Sequence, residues 1–187
     1  MWWFKKCIIM NNKFYSGIGS RSVPKIVGDR MKELAKVLNQ QDYWLRSGNA
    51  DGADQAFAKG VEDEKAQIWL PWKDFNIGFQ KMHPQHEYKL VNQSDVESLD
   101  SINKFHPYGS KLSHTSRSFM ARNYRQWKGL SEPDSEFVIC WTEGGRDIGG
   151  TGQCIRIARY YNSPIYNMFD MTNEQILKEI EKLNTLH

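Results

Sequence analysis

Nowhere do the 187 residues approach the roughly 20 consecutive apolar residues that span a bilayer, so no membrane-spanning helix is expected. Cysteine is scarce. Cys7, Cys140 and Cys154 are too few and too scattered for a disulfide framework or a zinc site, and a reducing cytoplasm is the expected home. Charge of one sign is lacking too: 25 Lys and Arg against 22 Asp and Glu leave a formal +3, too weak to imply nucleic-acid binding by itself. There is no internal repeat, no low-complexity tract, no Walker pattern and no clean GxGxxG. What remains is the composition of one globular domain, residues 1–187, with a high aromatic share of 13%.

The opening MWWFKKCIIM is apolar in two tracts broken by Lys5 and Lys6, with no small-residue cleavage site after them. It reads as an N-terminal extension, residues 1–12, forming an extra edge strand or an oligomer arm. Trp2, Trp3 and Phe4 are then candidate contacts, and a homo-oligomer is expected.

Two glycine-rich junctions carry the functional signal. Phe137 to Trp141 has the aromatic and β-branched residues of a buried strand, and TEGGRDIGGTG follows at once. From Cys154 the apolar residues Cys154, Ile157, Ala158 and Tyr161 recur at helical spacing, so the glycines stand between a strand end and a helix N-terminus. Unpaired amides and the helix dipole suit an anion there. A similar junction follows Lys13 to Tyr15, in SGIGSR at Ser16 to Arg21.

Between these loops the chain alternates strand and helix. Ser22 and Pro24 open a helix that buries Val27, Met31, Leu34, Ala35 and Leu38. A strand at Tyr43 to Arg46 ends in SGNADGAD, Ser47 to Asp54, where Asp51 is placed to cap the next helix. Gln67 to Leu70 is the third strand. Residues 73–112 read as an irregular insertion or lid with a short helix at Gln85 to Val91. A helix from Ser113 to Trp127 follows, with Met120, Tyr124 and Trp127 buried and Arg117, Arg122 and Arg125 outside. Its surroundings, Ser101 to Ser131, hold Lys104, Lys111, three arginines and Lys128 but no acid, which implies a local positive field. A fifth strand at Ile165 to Met168 and a final helix, opened by a Thr172/Gln175 capping box, close the chain. The pattern predicts an α/β fold, a doubly wound parallel sheet of about five strands in the order 3-2-1-4-5, with both glycine loops at the switch point.

GSR at Gly19 to Arg21, SGNADGADQAFAKG at Ser47 to Gly60, ARN at Ala121 to Asn123 and GGTGQCIRIAR at Gly149 to Arg159 resemble the SLOG superfamily of Rossmann-like domains. That group includes the DNA-processing protein A (DprA), the LOG phosphoribohydrolases and the YspA-like proteins. The resemblance runs from about Phe14 to Met168 and is closest to short DprA-like and YspA-like proteins carried by bacteriophages. It implies a pocket for a nucleotide or nucleotide-derived small molecule.

The expected ligand-binding residues are Gly17, Gly19, Ser20, Arg21, Ser47, Gly48, Asp51, Asp54, Arg122, Asn123, Trp141, Thr142, Gly149, Gly150, Thr151, Gly152 and Gln153. Arg21 and Arg122 would neutralise phosphate, Asp51 or Asp54 would accept from sugar hydroxyls, and Trp141 or Tyr108 would stack on a base. LOG enzymes cleave the N-glycosidic bond of nucleoside monophosphates with the Glu of a PGGxGTxxE motif. Cys154 stands at that position here, so binding is expected ahead of LOG-like N-glycosidase turnover, for which Glu143 or Asp147 would have to substitute. A phage protein of this kind would sequester an ADP-ribose-type or cyclic nucleotide immune signal. DprA-like single-stranded DNA binding is the third reading, with Tyr108, Tyr124 and Trp127 supplying stacking. No cofactor and no metal are called for.

Overall fold

The computed structural model describes residues 12–92 and 94–185. The expected N-terminal arm lies outside them, apart from Asn12. Helices and strands alternate as β1 (Lys13–Gly19), α1 (Lys25–Gln40), β2 (Tyr43–Ser47), α2 (Ala53–Ala58), β3 (Ala66–Leu70), α3 (Ile77–Met82), β4 (Glu87–Leu90), α4 (Val96–Phe105), α5 (His114–Lys128), β5 (Ser135–Trp141), α6 (Gly149–Tyr160), β6 (Ile165–Asn167) and α7 (Asn173–Thr185). Every strand pair is parallel, and the order is β4-β3-β2-β1-β5-β6. The α/β fold with a parallel, Rossmann-like sheet is thus as expected, and the predicted succession 3-2-1-4-5 survives inside it as β3-β2-β1-β5-β6.

The sheet has six strands rather than five. The sixth, β4, lies where a helix was expected, and it pairs Gln67 to Leu70 of β3 with Glu87 to Leu90. As a four-residue edge strand with its central residues only half buried, it offers no alternation to read. Nor are residues 73–112 irregular: they hold α3, β4, α4 and a 3-10 turn at Gly109–Lys111. The Asp95 carboxylate accepts from the Ser98 amide at 3.2 Å and caps α4, whose buried face mixes Ser98 and Ser101 with Ile102 and Phe105. Serines on the core side hid the helix.

Each sheet face carries its own core, because successive strand residues point to opposite sides. Tyr15, Phe137, Ile139 and Trp141 face α1, α2 and α7, where Met31, Leu34, Phe57, Ile176 and Ile180 meet them. Ile18, Val138 and Cys140 face α5 and α6, against Tyr124, Trp127, Cys154 and Ile157. The capping box opens α7 as predicted, with the Thr172 amide on Gln175 Oε1 at 2.8 Å and the Gln175 amide on Thr172 Oγ1 at 3.3 Å. Asp51 does not cap α2, which Gly52 precedes; its carboxylate accepts from Gln55 Nε2 and Asn76 Nδ2 instead. Helix α6 starts at Gly149, five residues before the apolar stripe begins, so its glycines form the first turn.

Candidate functional site

Strand β1 lies between β2 and β5, and the chain leaves β1 toward one face and β5 toward the other. The carboxyl ends of β1 and β5 therefore part company, leaving the crevice that open α/β sheets use for ligands. Gly19 lets the two loops close up. A Cβ there would stand 2.7 Å from that of Ala53 and 2.9 Å from the Trp141 carbonyl, which accepts the Ser20 amide at 3.1 Å.

A cavity of about 410 Å³ fills this crevice. Ile18, Gly19, Ser20 and Arg21 line it from β1, Ala50 and Asp54 from the start of α2, and Thr142, Glu143 and Ile148 from the loop after β5. Helix α5 presents Ser116, Phe119, Met120, Asn123 and Gln126, a single stripe at three- and four-residue spacing, with Arg122 beside it. Gly149, Gly150, Thr151 and Cys154 of α6 complete the wall. No side chain caps α6; the Gly152 amide is taken by the Ile148 carbonyl at 2.9 Å, and the amides of Gly149, Gly150 and Thr151 have no acceptor within the helix.

Beneath the cavity lies a buried polar floor. Arg122 Nη1 donates to Asp54 Oδ2 at 2.9 Å and to Gln126 Oε1 at 3.1 Å, and the Ala50 amide adds a second bond to Asp54 at 3.2 Å. Burial pushes the Asp54 carboxyl up from its ordinary range, and the charge and hydrogen bond of Arg122 oppose that rise without cancelling it. Asn123 Nδ2 donates to Gln153 Oε1 at 3.1 Å and to the Gly150 carbonyl at 3.3 Å, tying α5 to the start of α6. Gln126 and Gln153 both accept through oxygen, and their amide nitrogens are buried donors that find no acceptor among the described residues; the same is true of Arg122 Nε. Arg21 lies over the Phe119 ring at 4.9 Å, at the cavity mouth.

Of the residues singled out from sequence, Gly19, Ser20, Arg21, Asp54, Arg122, Asn123, Thr142, Gly149, Gly150 and Thr151 line the cavity. The others lie elsewhere. Gly17 packs on Phe57, and Ser47 donates to the Gly17 carbonyl at 2.7 Å. Gly48 backs onto Arg122, Asp51 is exposed, Gly152 packs on the Asp147 backbone, and Gln153 is buried under Asn123. The Trp141 ring belongs to the core on the opposite face, and Tyr108 is exposed away from the cavity. Ser116, Phe119 and Gln126 were not among the expected residues, and Met120, expected on the buried face, is half-buried and lines the cavity, although helical spacing from Asn123 leads to all four.

Two expectations need correction. Arg122 and Arg125 are not outside α5 but 4% and 3% exposed. Arg125 makes a double contact with Asp95 at 2.5 and 2.6 Å and a third with Glu97 at 3.0 Å, while Lys128 pairs with Asp134 at 2.8 Å. Half of the six cations in the acid-free stretch are thus neutralised by acids from elsewhere in the chain, and the predicted positive field is reduced to Lys104, Lys111 and Arg117. Cys154, at the place of the LOG glutamate, is buried, with its thiol pushed up to about 12 by desolvation, so it stays protonated near neutral pH.

Comparison with known proteins adds the fold. No family model and no curated protein matches the chain. A solved structure of DNA processing protein A from Helicobacter pylori, described for its single-stranded DNA binding mode, is similar with a TM-score of 0.58 and 17% identity. The match covers 91% of this chain and 74% of that one. The chain is DprA-like in fold. Among the described residues of that DprA-like fold, no helix is long and apolar enough to cross a membrane and no group of three or more His, Cys, Asp or Glu is placed to hold a metal ion.

Proposed function

We propose that the cavity at the β1 and β5 ends binds a nucleotide or a nucleotide-derived small molecule. The observation that carries this reading is convergence: the uncapped first turn of α6, Arg21 and the Arg122–Asp54 pair meet in one cavity of about 410 Å³. That volume falls within the roughly 300–1,000 Å³ of small-molecule sites. A phosphate suits the α6 amides and Arg21. Ile18, Phe119, Met120 and Ile148 give the cavity an apolar portion for a base. The resemblance to SLOG domains and to short phage-carried proteins extends the reading to an ADP-ribose-type or cyclic nucleotide signal, held intact and so sequestered.

The test is to incubate the purified protein with cell extract rich in nucleotide signals, denature it, filter it and analyse what is released by mass spectrometry. An intact nucleotide-type ligand supports binding without turnover. Free base together with a ribose phosphate would instead mean N-glycosidic cleavage. In that case Glu143 is the carboxylate to replace, since it lines the cavity while Asp147 is paired with Arg159. An empty protein removes the reading.

Single-stranded DNA is the second reading, favoured by the fold match to a protein described for binding it. Against it stands the internal pairing of Arg122, Arg125 and Lys128.

A further inference from the structure

Helix α5 has cavities on both flanks. The second, of about 240 Å³, lies between α4, α5 and the ends of β3 and β4. Its wall is apolar at Pro71, Val91 and Leu99 and polar at Asn92 and Arg117. Arg117 differs from the other arginines of its helix: Nη1 donates to the Gly109 carbonyl at 3.0 Å, and among the described residues no carboxylate pairs with it. Asn92 is half committed. Its Oδ1 accepts from the amide and hydroxyl of Ser94, at 3.0 and 2.9 Å, which leaves the Nδ2 protons free of acceptors among the described residues.

The volume is below that of a self-sufficient small-molecule site, and is suited to a single base-sized group. The two cavities are also neighbours, separated by one helix about 10 Å across with its side chains. One aromatic contact links residues at or next to the two linings. Phe119 lines the first cavity, Trp72 follows Pro71 of the second, and their rings meet edge to face at 5.1 Å with Trp72 40% exposed. Each cavity has a cation in its lining, Arg21 over Phe119 in the first and Arg117 in the second.

We propose that the second cavity is a subsite for a further nucleoside unit, so that the preferred ligand carries two nucleoside units joined through phosphate. This rests on the nucleotide reading of the first cavity. Arg117 meets the anionic linkage or the second sugar phosphate, Asn92 reads a base edge, and the apolar wall covers a base face. Either a phosphodiester or a pyrophosphate linkage has this chemistry.

Calorimetric titration of the full chain with 5′-AMP, with the 5′-phosphorylated dinucleotide pdApdA and with diadenosine pyrophosphate decides it. At least one two-unit ligand should bind about tenfold more tightly than 5′-AMP, and the one that does identifies the linkage. Arg117→Ala should erase that advantage and leave 5′-AMP binding unchanged. Ser118→Trp, which fills the second cavity from a half-exposed position on α5, should do the same, with unfolding midpoints confirming that both variants fold. Equal binding of one- and two-unit ligands, or two-unit binding untouched by both variants, overturns the subsite and leaves the first cavity standing. Failure of the unaltered protein to bind any of the three overturns the nucleotide reading, and the subsite with it.

Discussion

Arg122 Nη1 occupies the space in which a Cβ on residue 48 would stand, so the bare backbone of Gly48 is what lets the guanidinium reach Asp54. The two residues come from β2–α2 and from α5, and their fit sets the floor of the cavity.

Replacing Gly48 with Ala should therefore act through a charge and not through backbone entropy. The guanidinium must leave Asp54, and breaking a buried ion pair in this way costs about 3–5 kcal/mol. Urea unfolding should show a loss of about 3 kcal/mol for Gly48→Ala. Gly28→Ala is the contrast: it lies in α1 with ordinary contacts at 3.8 Å, and should stabilise by about 1 kcal/mol through helix propensity.

Glu132 gives the fold an acid-side limit. Burial raises its carboxyl, but the hydrogen bond from Lys89, backbone amides and the Lys89 charge outweigh that and hold it down at about 2, from an ordinary 4.5. A depressed folded value means stability that is full above pH 4.5 and lost as pH falls toward 2. The side chain is one quarter exposed, so screening trims the contribution to roughly 1–2 kcal/mol. Asp54, raised by burial, has the opposite sign: its contribution is full below its ordinary value and is lost as pH rises through the folded one. Unfolding free energies measured from pH 5 down to pH 2 should fall less steeply in Glu132→Gln than in the unaltered protein.

How much of this was legible follows from what local pattern encodes. The order β3-β2-β1-β5-β6, the loop glycines and the Thr172/Gln175 box were readable because each rests on patterns close in sequence. Strand β4 was not, since its identity comes from pairing with β3 and not from any alternation of its own. The burial of Arg122 and Arg125 was equally hidden: their partners Asp54 and Asp95 lie 68 and 30 residues away. The expected stacking role of Trp141 fails because strand parity with Phe137 and Ile139 puts its ring with theirs on the other face.

Ligand affinity should respond differently at the mouth and at the α6 turn. Arg21→Ala removes a cation at the exposed cavity mouth without touching the core, and should weaken nucleotide binding about tenfold with an unchanged unfolding midpoint. Gly150→Asp places a carboxylate at the α6 amides, beside Asn123 Nδ2 at 3.1 Å from the new Cβ. There it competes with phosphate for the same donors, and titration should detect no nucleotide binding at all. If Gly150→Asp binds nucleotide as the unaltered protein does, the phosphate is not at this turn.

The salt dependence of DNA binding separates the two functional readings. Of the six cations between Ser101 and Ser131, Arg122, Arg125 and Lys128 are paired with acids, and among the described residues Lys104, Lys111 and Arg117 are not. Lys104 is further occupied over the Tyr160 ring at 3.6 Å. Each phosphate neutralised on a single strand contributes about −0.7 to the slope of log affinity against log salt, so three free cations allow a slope no steeper than about −2 from this region. A protein built to track a DNA backbone through many phosphates shows a far steeper fall. Binding of a fluorescent deoxythymidine oligonucleotide, titrated across salt concentrations, should therefore be weak and shallow in slope if the cavity serves a small nucleotide ligand. A slope near −5 would require cations outside this stretch, and would make single-stranded DNA the better reading.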